Sequence, residues 1–175
     1  MGKYEKPTPA ERNVSFRKGY KYISRALRSR HLNSWIAACA IEESFIAHRL
    51  LTYCRMQTRN EVRVRLDANE NVGITYAMQS IKSKLKSYSC SVNKGTSAVI
   101  ETQDLYTELD NWIQKRNPVI HCFIKIDPMN SRRNFEDYRL LARETAKEGF
   151  RILRLVDKWY NEQKKQFKSS PSKAA

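Results

Sequence analysis

Glycine is scarce in this chain, with five in 175 residues. That leaves little material for the glycine-rich loops that cradle phosphates, and neither G-x-x-x-x-G-K-[ST] nor G-x-G-x-x-G occurs. A nucleotide cofactor held by such loops is therefore not expected. G-x-S-x-G and H-E-x-x-H are absent too, which removes the nucleophile elbow of the α/β-hydrolases and the zinc helix of the metalloproteases. The four cysteines, Cys39, Cys54, Cys90 and Cys122, lie far apart, with no C-x-x-C pair and no histidine at finger spacing. This argues against both a zinc site and a disulfide framework, and reduced, mostly buried thiols are expected. No metal and no cofactor are expected. The longest apolar run, Trp35–Ile41, stops at Glu42 and Glu43, far short of the roughly 20 residues of a membrane span. The basic, polar N-terminus lacks the apolar segment of a secretory signal, so the expected location is cytoplasmic, away from membranes.

Acidic residues are also in deficit, 18 against 33 Lys and Arg, for a formal charge of +15. Residues 1–30 hold nine basic and two acidic side chains and Lys158–Ala175 hold five and one, so most of the excess lies at the two ends. Such arms favour a phosphate polymer, because Lys and Arg gain affinity by releasing condensed counterions whatever the sequence bound. An acidic protein or membrane surface would satisfy the same charge, and a basic surface that only confers solubility is the plain alternative.

Hydrophobic spacing predicts a long amphipathic helix over 33–56, with Trp35, Cys39, Ile46, Leu50 and Tyr53 on one stripe and Asn33 or Ser34 as N-cap. A second long helix is predicted over 134–166, through Tyr138, Leu141, Thr145, Ile152, Leu155 and Trp159, with Asn134 as cap and Asp137 in the first turn. Between them, 74–88 reads as a shorter helix with Lys82, Lys84 and Lys86 exposed, and 102–125 as a third core helix built on Leu105, Leu109, Trp112 and Ile113. A basic helix over 17–28 precedes the core. The alternation of Val62, Val64 and Leu66 within 58–71 reads as a loop, since one isolated strand is not stable alone. The expected organisation is a basic arm or helix over 1–30, a helical domain over 31–168 and a flexible tail over 169–175. The expected fold is all-α, an up-and-down bundle of four to five helices.

Any imidazole chemistry must use one of three histidines. His31, in a basic connector, and His48, on the polar side of the first long helix, read as solvated. His121 closes the segment Arg116-Asn117-Pro118-Val119-Ile120-His121. R-x-x-x-x-H alone is a common pattern, and Asn directly after Arg makes a chance match much rarer. Five residues of ideal helix turn a side chain by about 140°, so Arg116 and His121 do not naturally converge. Pro118 removes an amide donor between them and is expected to loosen or kink the helix. The plain alternative is that Arg116 and Asn117 end a helix and His121 is a hydrogen-bonded core residue. Glu42 falls within about 20° of Trp35 on a helical wheel and Glu43 at the edge of the stripe. A core-facing carboxylate must pair or protonate. Either glutamate could hold Arg116, or form a structural ion pair with Arg49 or another base.

The helix bearing R-N-x-x-x-H, followed by a polar connector and one last long helix, resembles the HEPN superfamily, small helical domains that include many metal-independent ribonucleases. Glu43-Ser-Phe-Ile-Ala-His-Arg49-Leu50 on the first long helix resembles an acidic-then-Arg-Leu pattern of small prokaryotic members. The likeness spans roughly 34–160. Pro118 inside the motif and Cys122 after His121, where a small residue is common, depart from it. The resemblance implies that Arg116 and His121 are catalytic, that Asn117 holds or orients them, and that two motifs face each other in a homodimer. It also implies a toxin or antiphage-defence role, with an antitoxin or regulatory protein as a further partner. The chemistry is reasonable in itself. RNA carries its own nucleophile, the 2′-OH, and needs a base of near-neutral pKa and a cation at the pentacoordinate phosphate. Lys82, Lys84, Lys86 and Lys125 are candidate RNA contacts, and Tyr20 and Tyr22 candidate base-stacking residues. The competing readings are a non-catalytic module binding RNA or a nucleotide, and a protein-interaction partner.

Overall fold

A computed structural model describes residues 9–57, 73–93, 100–121 and 131–169. Six helices and one two-stranded sheet are found among them, and the helices pack as a bundle. In chain order these are α1 (Pro9–Arg28), α2 (Leu32–Gln57), α3 (Ile74–Ser80), α4 (Lys82–Lys86), β1 (Ser89–Asn93), β2 (Ile100–Asp104), α5 (Leu105–His121) and α6 (Ser131–Ser169). None of the described helices is long and apolar enough to cross a membrane.

Helix α2 is the axis of the bundle. It buries Trp35, Ala38, Cys39, Glu42, Ile46, Leu50, Tyr53 and Cys54, a band too wide for one partner, and it packs against α1, α3, α5 and α6. A helix apolar over much of its circumference must be surrounded. It starts one residue before the expected cap, so Asn33 and Ser34 sit inside its first turn, with the Ser34 amide donating to the His31 carbonyl at 3.1 Å. Only three residues join α1 to α2, which sets them side by side and antiparallel. Gly19 makes their close approach possible, since a Cβ there would run into the Phe45 ring. Ile23 and Ala26 of α1 lie in the common core, and the helix begins at Pro9, eight residues before the basic helix expected over 17–28.

Helix α6 runs parallel to α2 and antiparallel to α5, as its cross-contacts show. Tyr53 and Trp159 pack ring to ring at 4.7 Å, the Trp112 indole N–H donates to the Thr145 carbonyl at 3.1 Å, and the Tyr138 hydroxyl donates to the Val119 carbonyl. Its buried stripe is Ala142, Thr145, Ala146, Ile152, Leu153, Val156, Trp159 and Tyr160. Leu141, expected in the core, is 37% exposed, and Leu155 is half-buried. Small residues occupy the contact where α6 meets Trp112. Gly149 stands at its centre, because a Cβ there would collide with Glu42 Oε2 and lie 2.7 Å from Trp112 Nε1.

The 74–88 helix is two helices broken at Ile81 (φ −122°, ψ 23°). The break keeps Ile74, Ala77, Met78, Ile81 and Leu85 on one buried stripe. The described residues are mostly helical, as expected, with one short sheet besides. An antiparallel hairpin pairs Ser89 with Asp104 through to Asn93 with Ile100, so Thr102–Asp104 is strand and not the start of a helix. Asp104 then acts as the N-cap of α5, its carboxylate accepting from the Thr107 amide and hydroxyl, both at 2.9 Å. The 58–71 loop, Cys122, Lys125 and the end of the expected 102–125 helix lie outside the described residues. Cys39, Cys54 and Cys90 are buried free thiols.

Candidate functional site

The C-terminal half of α5 is carried over the N-terminal halves of α2 and α6 by the contacts above. Arg116 points inward from it. Its guanidinium forms an ion pair with Glu43 through Nη2, and Nη1 donates to Asn117 Oδ1 at 3.0 Å. Nε is buried without a hydrogen-bond partner. The Arg116 side chain is 12% exposed and that of Glu43 26%. Burial lowers the proton affinity of this guanidinium, but not to the point of losing its charge, which arginine keeps in proteins.

Helix α5 continues through Pro118 to His121. Pro118 still deprives the Gln114 carbonyl of its helical donor. The 140° offset between Arg116 and His121 is therefore kept. Asn117 and His121, four residues apart, share one face and are both exposed. His121 is thus not the core histidine of the plain alternative. Within one chain Arg116 faces α2 while Asn117 and His121 face outward.

The two neighbouring glutamates of α2 meet opposite fates. Glu43 pairs with Arg116. Glu42 is completely buried, neither of its oxygens has a hydrogen-bond partner, and burial pushes its carboxyl up to about 9. It is neutral at physiological pH, the second of the two outcomes open to a core carboxylate. Cys39, one turn earlier, has its thiol pushed up to about 12, first by burial and then by Glu42, with Arg116 opposing. Trp112, Thr145 and Gly149 close this polar pocket from α5 and α6, and the Thr145 hydroxyl is also buried without a partner.

Arg49 has a different partner, Asp157, at 2.5 Å. Its guanidinium lies over the rings of Phe16 (4.2 Å) and Tyr160 (5.0 Å). Tyr20 donates its hydroxyl to the same carboxylate, and burial together with that bond raises its proton affinity. Tyr20 is therefore tied into the bundle, whereas Tyr22 is 42% exposed. Local spacing offers no signal for a network joining residues 20, 49 and 157. His31 is exposed, while His48, read as solvated, is half-buried with its ring 5.3 Å from that of Phe16. Lys82, Lys84 and Lys86 are exposed, and Lys82 and Lys86 lie 4.9 and 5.9 Å from the Tyr106 ring centre. They sit on α4, which packs against α5.

Among the described residues no group of three His, Cys, Asp or Glu side chains is placed to hold a metal ion. No family model matches the chain, no curated protein matches it, and no solved structure matches it.

Proposed function

We propose that the chain is a metal-independent endoribonuclease of HEPN type that acts as a homodimer, with the end of α5 as its active site. His121 is the base that takes the 2′-OH proton, Arg116 the cation that meets the developing charge on phosphorus, and Asn117 the residue that fixes the guanidinium. The supporting observation is the Glu43–Arg116–Asn117 chain of contacts ending beside an exposed His121. An arginine held from behind by a carboxylate loses little freedom when a phosphate arrives. Because Arg116 and His121 of one helix diverge, a second copy brings the base of one chain toward the cation of the other. A toxin or antiphage-defence role, with an antitoxin or regulatory partner, follows from the HEPN resemblance alone.

The 2′ oxygen bonds to phosphorus as the P–O5′ bond breaks, and the departing 5′ oxygen takes a proton from water, which leaves a 2′,3′-cyclic phosphate and a 5′-hydroxyl; DNA, without the 2′-OH, survives. The purified chain is expected to cleave labelled single-stranded RNA in excess chelator, and His121→Ala to lose that activity while keeping its fold and its RNA affinity. Intact RNA with wild-type protein refutes the reading. One observation favours a second one. The Arg116 side chain is only 12% exposed with its charge committed to Glu43, which suits a module that binds RNA without cutting it. Binding without cleavage, at the same affinity in wild type and His121→Ala, selects that alternative.

A further inference from the structure

At the opposite end of the bundle from His121, the C-terminal turns of α2 and α6 enclose an open cleft of about 460 Å³ lined by Thr52, Arg55, Met56, Lys164, Phe167 and Lys168. We propose that this cleft is a second nucleic-acid site, which grips single-stranded RNA by stacking a base on Phe167 and pairing its phosphates with Lys164 and Lys168. The proposal rests on the reading that RNA is the ligand of this basic chain and adds where the strand is held.

The lining residues fall at i, i+3 and i+4 on both helices, 52, 55 and 56 on α2 and 164, 167 and 168 on α6, so each helix turns one face toward the cleft. Three of the six carry positive charge, and no carboxylate is among them. Cations in the last turn of a helix can serve only to balance its dipole. That does not account for the ring between them. Phe167 is 39% exposed, although an aromatic ring gains most from full burial. An edge contact with Tyr53, centroids 6.0 Å apart and planes at 67°, steadies it. Tyr53 in turn receives a hydrogen bond from Gln57 at 2.5 Å and packs on Trp159. A held, accessible ring flanked by cations is the arrangement that binds single strands irrespective of sequence, by stacking and counterion release together.

An acidic protein segment fits the charge, but a strand that repeats phosphate and base matches cations set beside an accessible ring, so RNA is the better match. From Tyr138, which touches the end of α5, to Lys164 is 26 residues of α6, about 39 Å of helix. A strand engaged at both places on one chain must span that distance, and a short oligonucleotide can fill the cleft without reaching His121.

The test uses the full chain and a fluorescent 2′-O-methyl oligouridine, which presents phosphates and bases but cannot be cleaved. Phe167→Ala is expected to weaken binding about tenfold or more, the loss of one stacked base. Phe167→Trp is expected to retain affinity and to be quenched by the probe. Lys164→Gln with Lys168→Gln should flatten the dependence of log affinity on log salt by about 1.4. Unchanged affinity in Phe167→Ala, or an unquenched Phe167→Trp, overturns the proposal. So does displacement of the probe by polyglutamate as effective as by unlabelled RNA, which identifies an acidic protein as the occupant. Cleavage by wild type with a cleft that ignores RNA removes this inference and leaves the ribonuclease reading. A cleft that binds RNA in a chain that never cuts does the reverse.

Discussion

Replacing Glu42 by Gln should make the protein more stable at neutral pH and remove part of its pH dependence. In the unfolded chain this carboxyl ionises from about pH 4.5, whereas in the fold it keeps its proton up to about 9, because burial penalises the charged form. Between those values the native state holds a proton that the unfolded state has released, so stability falls as pH rises. The contribution is fully present below pH 4.5 and is lost progressively until the folded carboxyl itself ionises near 9. Each pH unit in that window costs about 1.4 kcal/mol, which comes to about 3 kcal/mol at pH 7. Glutamine has nearly the shape of the protonated acid and does not ionise in either state. Urea unfolding of wild type and Glu42→Gln at intervals from pH 4.5 to 8.5 measures the difference directly. The two should be nearly equal at the acid end, with the variant ahead by about 3 kcal/mol at pH 7. Curves that stay parallel across the range, or a variant that loses ground as pH rises, refute the placement of this carboxyl in a dry core.

Gly149→Ala should destabilise by about 1–2 kcal/mol despite alanine's better helix propensity, because its methyl group meets Glu42 and Trp112. The loss should shrink in a Glu42→Ala background, measured as a double-mutant cycle by denaturant unfolding. Asp157→Asn leaves Arg49 without its ion pair between the rings of Phe16 and Tyr160. Both side chains are about one-fifth exposed, so the expected cost is moderate, about 1–2 kcal/mol, read as a lower denaturation midpoint. Glu43→Gln releases Arg116 and, on the proposed mechanism, should slow RNA cleavage about 10–100-fold with little change in RNA affinity, measured by single-turnover kinetics.

Elements with long apolar stripes were legible in the sequence. Trp35, Cys39, Ile46, Leu50 and Tyr53 lie buried on α2 as their spacing requires, and Leu105, Leu109 and Trp112 do so on α5. The stripe of α6 was read partly through Leu141 and Leu155, whereas Ala142 and Ala146 are buried. Alanine carries little hydrophobic signal, so a stripe built partly on it is hard to read. The hairpin was missed because Thr102 stands just before a strong helical pattern and was absorbed into it. Its own signals were the β-branched Val92, Ile100 and Thr102. At the candidate site, wheel geometry placed Glu42 in the core and Glu43 at its edge. Which of them meets Arg116 depends on how α2 and α5 cross, and no local spacing encodes that. The same holds for Arg49 and Asp157, 108 positions apart.

The most direct test of the proposed chemistry is the structure of the ends that the protein leaves on RNA. Mass spectrometry of products formed in excess chelator should show 2′,3′-cyclic phosphates and 5′-hydroxyls from wild type, none from His121→Ala or Arg116→Ala, and no cut at a position whose 2′-OH has been replaced by hydrogen. Cleavage that persists at the 2′-deoxy position, or in His121→Ala, contradicts the assignment of His121 as the base acting on the 2′-OH.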